Sequence, residues 1–136
     1  MIQSEVEAFV AELENVQREE NFGYLFFFVG ADHRLPFVTI ANSDQDFDNV
    51  SNLNREGVFR VNIGVSKETF TNLITESSSE LVDYSTLNVF LPHPDYARQH
   101  WVCILNPSNE NVEMTKKLIV EAHSIAAARL QRKAEN

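Results

Sequence analysis

The chain has 136 residues, 43% of them hydrophobic and 23% charged. That suffices for one core closed without disulfide or metal, is too short for two domains, and excludes disordered, collagenous and coiled-coil classes. Twenty acidic residues against eleven basic leave a net charge of -9, which repels nucleic-acid phosphates and anionic lipid, so nucleic acid is the least favoured partner.

From Ser4 to Glu20 the apolar residues Val6, Phe9, Val10, Leu13 and Val16 recur at three- and four-residue steps, which predicts one amphipathic helix. Ser4 and Glu7 have the spacing of a capping box at its start. Six acidic residues and Arg18 fall in this stretch, carrying five of the nine net negative charges, and are read as a solvated helix face. Asn21-Phe22-Gly23 ends it. Tyr24 to Val29 is apolar on both faces of a strand, with Tyr24, Phe26 and Phe28 on one and Leu25, Phe27 and Val29 on the other. Turn residues from Gly30 to Leu35 and a returning strand from Pro36 to Ala41 complete a hairpin. Asn42 to Gly57 reads as an extended polar loop.

The strand from Phe59 to Val65 has the clearest period of two, with Phe59, Val61, Ile63 and Val65 toward the core and Arg60, Asn62 and Gly64 on a wet face. Ser66 caps a following helix that carries Phe70, Leu73 and Ile74 and ends in the loop at 76–80. Leu87 to Leu91 is a short apolar segment closed by Pro92-His93-Pro94, which holds residue 93 extended or in a turn. His100 to Leu105 reads as an interior strand. Asn106-Pro107-Ser108 caps a last helix with an apolar stripe from Leu118 to Leu130, where Arg129, Arg132 and Lys133 suit the negative helix end.

Segregation of strands and helices predicts an α+β fold: a mainly antiparallel sheet with N-terminal and C-terminal helices packed on it. Two covers compete for the second sheet face. One is a partner copy in a homodimer, through a patch around Leu25, Phe27, Val29 and Trp101; the other is the loop at 42–57. The longest apolar run, Tyr24 to Val29, is a third of a membrane-spanning helix. With no basic and apolar leader after Met1, and with one cysteine, Cys103, unable to form an internal disulfide, the expectation is a soluble cytoplasmic protein without a membrane partner.

Five blocks carry a family resemblance: Phe26-Phe27-Phe28-Val29-Gly30, His33-Arg34-Leu35-Pro36-Phe37, Asn62-Ile63-Gly64-Val65, Leu91-Pro92-His93-Pro94 and His100 to Pro107. In this order they resemble a bacterial family known as domain of unknown function 6194, from about Phe22 into the last helix. The His-Trp entry to the late strand, followed by a helix, is more remotely similar to the MmcQ/YjbR-like proteins. That similarity implies a small α+β fold like double-wing DNA-binding domains. The first family implies no activity, and the acidic balance opposes the nucleic-acid role implied by the second.

No complete catalytic, metal or cofactor motif is present. Asp44, Asp46 and Asp48 match the first carboxylates of a calcium loop, but Asn49 replaces its glycine and Arg55 its closing glutamate. The spacings of His33, His93, His100 and Cys103 fit no zinc arrangement. Strand alternation puts Cys103 opposite His100, as a buried core residue rather than a nucleophile. Glycine-rich phosphate loops and a Gly-x-Ser-x-Gly elbow are absent.

What remains is a cluster at the strand ends. His33, Arg34, His93, Arg98, His100 and Trp101, with Tyr96 as a further aromatic wall, could line a pocket for a small anionic ligand. The competing reading pairs Arg34 with Asp32, pairs Arg98 with Asp95, and has His93 or His100 cap backbone carbonyls. The leading functional expectation is a non-enzymatic module binding a small ligand or a protein. The alternative is a small enzyme with a histidine general base and an arginine anchor, which requires an imidazole beside a carboxylate in a cleft. Nucleic-acid binding comes third.

Overall fold

The computed structural model describes residues 1–74 and 82–135; the predicted loop at 76–80 lies outside them. Helix α1 (Gln3–Ala11) is followed by strands β1 (Val16–Asn21), β2 (Tyr24–Val29), β3 (Val38–Ala41) and β4 (Arg60–Gly64). Then come helix α2 (Lys67–Leu73), the short strand β5 (Leu91–Pro92), strand β6 (Trp101–Leu105) and the long helix α3 (Glu110–Glu135). The strands form one antiparallel sheet in the order β1-β2-β3-β4-β6-β5, so the α+β expectation holds.

The predicted first helix is two elements. Asn15 takes a positive φ of 62° and turns the chain back, so Val16 starts a strand instead of another helical turn. All of β1 beyond Val16 is exposed, and its backbone ladder with β2 holds it at the sheet edge. Phe22 and Gly23 both have positive φ, the pattern of a tight type I′ hairpin turn joining β1 to β2. At the start of α1 the Glu5 carboxylate accepts the Ile2 N–H at 2.8 Å. Ser4, the predicted cap, lies inside the first turn. The Ser66 cap is present: its hydroxyl accepts the Thr69 N–H at 3.1 Å.

One sheet face is the main core. Val6 and Val10 of α1 and Leu118, Ile119, Ala122 and Ala126 of α3 pack on Leu25, Phe27, Val29, Val38, Ile40, Val61, Ile63, Val102 and Ile104. This removes the predicted dimer patch, because Leu25, Phe27 and Val29 lie under the helices. Trp101 points to the other face, since its register partner is Gly64.

Cross-strand register puts Tyr24, Phe26 and Phe28 of β2, Thr39 and Ala41 of β3, Arg60, Asn62 and Gly64 of β4, and Trp101, Cys103 and Leu105 of β6 on the second face. The predicted wet side of β4 is dry there, with Arg60 and Asn62 0% and 1% exposed. The loop between β3 and β4 brings in the reason: Asp48, Ser51 and Leu53 are all buried. Asp48 and Ser51 satisfy the Arg60 guanidinium, and Leu53 packs with Ala41 and Leu105. The loop therefore covers the Arg60 end of this face.

Candidate functional site

The other part of the second face is open. A cleft of about 750 Å³ lies over it, within the range of small-molecule sites. Its floor follows one row across the sheet, Phe26, Thr39 and Asn62, which are register partners in turn. Tyr24 and Phe47, with ring centroids 5.9 Å apart, stand at one end. His93, Tyr96 and Trp101 form a side wall. Leu35, Pro36 and Phe37, which lead into β3, and Ile125, Ala126 and Arg129 of α3 form the far end. Phe22, Leu35, Phe47 and Tyr96, between 54% and 70% exposed, contribute to the lining, so large apolar side chains left in water gather around this opening.

Gly64 makes the wall possible. A Cβ there would stand 2.9 Å from Cε2 of Trp101, so only a bare backbone lets the indole lie across β4. The His93 ring then meets Trp101 edge-on, with centroids 6.4 Å apart, and Tyr96 at 5.0 Å.

A buried polar network underlies the floor. Asp48 accepts from both terminal nitrogens of Arg60 and from the Tyr24 hydroxyl. Arg60 also donates to Ser51 Oγ at 3.0 Å and, through Nε, to Asn62 Oδ1 at 2.9 Å; Asn62 Nδ2 donates to Thr39 Oγ1 at 2.9 Å. Burial would raise the Asp48 carboxyl, but hydrogen bonds from Arg60 and Tyr24 and the Arg60 charge hold it below the ordinary carboxylate range. Burial, the hydrogen bond to Asp48 and the Asp48 charge push the Tyr24 phenol well above its usual value. The pair is an internal salt, neutral overall, that orients the groups above it.

His93 is 6% exposed. Its Nδ1 accepts the backbone N–H groups of Asp95 and Tyr96 at 3.0 and 3.1 Å. Because both donors are obligatory, Nδ1 is unprotonated and the neutral ring carries its proton on Nε2. Burial and the nearby Arg60 charge hold the imidazole down to about 4, so it is uncharged at neutral pH. It caps backbone N–H groups, not the carbonyls anticipated.

Of the six predicted site residues, Arg34, His93 and Trp101 line the cleft. His33, Arg98 and His100 do not. His33 stacks flat on Phe28 at 4.3 Å and bonds Gln17 at 2.8 Å and Glu19 at 3.1 Å, closing the second face toward β1. His100 takes a left-handed φ of 66° and faces Phe70. Arg98 belongs to a short 3₁₀ turn, Ala97–Gln99, outside the lining.

Arg34 is paired with Asp32 as the competing reading held, through Nε and Nη2. Asp32 also takes Lys133 Nζ at 2.6 Å, and these hydrogen bonds hold its carboxyl well below the ordinary range. Arg129 lies one helical turn before Lys133, with no carboxylate among the described residues in salt-bridge reach. On the cleft lining the cations are Arg34, paired with Asp32, and Arg129, in a protein of net charge -9. Asp95 lies on the lining as well, and its side chain is exposed.

Sequence reasoning missed Tyr24, Phe26, Thr39, Asn62 and Arg129. The available signal was register: with β2, β3 and β4 consecutive antiparallel neighbours, Phe26, Thr39 and Asn62 fall in one row. Cys103 is fully buried on this face, and burial pushes its thiol up to about 12, in keeping with a core role. Among the described residues no group of three metal-ligating side chains converges, and no helix is long and apolar enough to cross a membrane.

No curated protein and no solved structure matches the chain. One family model does, a family of unknown function, DUF6194, over residues 1–135; the remoter similarity to the MmcQ/YjbR-like proteins is not shown by these matches. On that near-complete match the chain belongs to the DUF6194 family.

Proposed function

We propose that this protein is a small-ligand-binding module whose site is the cleft on the second sheet face, and that its ligand has an apolar body and an anionic group. The observation that carries this reading is the open aromatic cleft of about 750 Å³ beside an otherwise filled sheet face. Aromatic rings supply contact area, and the excess positive charge at the Arg34 and Arg129 end supplies the anion site. An enzyme with a histidine base is less well supported. The His93 ring presents a bound proton to the cleft rather than a free lone pair, and the imidazole beside a carboxylate, His33 with Glu19, stands outside it.

The test is a thermal-shift screen of aromatic and aliphatic carboxylates against their uncharged amides. A ligand at about 100 times its dissociation constant stabilises by about 2.7 kcal/mol, which raises Tm by roughly 8 °C in a domain of this size. Carboxylates raise Tm more than amides, and Arg129→Ala removes about fivefold of the carboxylate affinity without changing that of the amides. If no carboxylate in the screen raises Tm, the reading fails.

A further inference from the structure

The hydrogen-bond polarity of the cleft floor is determined by obligatory donors beneath it. The Nε–H of Arg60 can only donate, so the Asn62 atom it meets at 2.9 Å is the carbonyl oxygen and the amide nitrogen is turned along the row toward Thr39. One Asn62 N–H goes to Thr39 Oγ1, leaving a second N–H. The Thr39 oxygen accepts that bond, and its own proton is free to turn toward a ligand. Two backbone N–H groups occupy His93 Nδ1, so the ring offers Nε2–H, which has no protein acceptor among the described residues. Asn62 and His93 are 1% and 6% exposed, yet both line the cleft.

The floor is therefore rich in donors and carries no net charge, because Arg60 is already balanced by Asp48. A ligand N–H would meet N–H groups. A carboxylate placed there would be a second anion close to Asp48 without a cation of its own. A neutral oxygen acceptor satisfies the donors at no charge cost. Resting on the reading of the cleft as a ligand site, we propose that its ligand is an aromatic carboxylate with a carbonyl oxygen: the carbonyl bonds Thr39, Asn62 and His93, and the carboxylate lies toward Arg129.

Isothermal titration of the full-length protein with 4-benzoylbenzoate and 4-benzylbenzoate tests this, because the two probes differ only in a carbonyl against a methylene. The ketone binds at least about tenfold more tightly, as expected where buried donors are otherwise left unpaired. Thr39→Val, of nearly the same shape, narrows that gap severalfold by weakening the ketone alone. Equal affinity of the wild-type protein for both probes overturns the assignment of the floor while leaving the cleft a ligand site. Binding of neither probe at about 1 mM, a threshold of about 4 kcal/mol, overturns the cleft reading together with this inference.

Discussion

Replacing Asp48 with asparagine isolates the most heavily committed group beneath the site. The change keeps the side-chain volume but removes the charge that balances Arg60, and the two side chains are 5% and 0% exposed. Water cannot replace the lost partner, so the guanidinium becomes a buried cation without a counter-ion. Breaking such a pair costs about 3–5 kcal/mol, against a total stability of about 5–15 kcal/mol for an ordinary domain. At roughly 3 °C per kcal/mol, Tm falls by about 9–15 °C. Urea denaturation at pH 7, followed by the fluorescence of Trp101 and by circular dichroism, gives the loss directly. The paired replacement Asp48→Leu with Arg60→Met recovers the part due to the buried charge, and leaves the cost of the hydrogen bonds lost by Ser51, Asn62 and Tyr24. A loss under about 1 kcal/mol for Asp48→Asn, the size seen for exposed pairs, would refute the claim that this network sits in a dry interior. The acid limb has a definite sign. The Asp48 carboxyl titrates below its unfolded value of about 3.9, so its stabilisation is complete above that pH and is lost as pH falls through the lower folded value.

The other predictions concern the cleft wall and the buried thiol. The folded His93 titrates near 4 against 6.5 ordinarily, so between these values the unfolded chain takes up a proton that the fold does not. Stability therefore drops by up to about 3 kcal/mol as pH falls across that window. His93→Asn, whose side-chain oxygen can accept the same N–H groups, flattens this slope, and urea titrations at several pH values would show an unchanged slope if burial were overstated. Gly64→Ala forces the indole off the sheet and costs about 1–3 kcal/mol, with a change in emission from Trp101, the single tryptophan; unchanged emission would contradict the close approach. The thiol of Cys103 stays unreactive toward a disulfide reagent at pH 8 in the folded protein and reacts on unfolding; rapid labelling of the native state would contradict its burial.

Strands with an apolar signature were legible. β2, β4 and β6 fall where their periodicity predicts because each has a face under the helices, and α2 and α3 because each turns an apolar stripe to the same core. β1 was not, for it buries no stripe of its own: Gln17 to Asn21 are all exposed, and only its ladder with β2 makes it a strand. Leu13 and Val16 happened to continue the helical spacing of Val6 and Val10 across a turn at Asn15. On β4, alternation correctly separated Arg60, Asn62 and Gly64 from the core face. The burial of Arg60 was invisible because it depends on Asp48, twelve positions earlier in a loop whose composition reads as solvated. The site was half legible for the same reason. Polar residues at strand ends marked Arg34, His93 and Trp101, whereas Phe26, Thr39 and Asn62 become a site only through three-strand register.

Protein-observed NMR with 4-benzoylbenzoate tests the central claim, that the second-face cleft is where ligand binds. Saturable shifts are expected at the Trp101 indole N–H, the Asn62 side-chain amide and the backbone amides of Gly64 and Thr39, with the amides of α1 unmoved. Shifts centred on α1 and β1, or none at all, would contradict it.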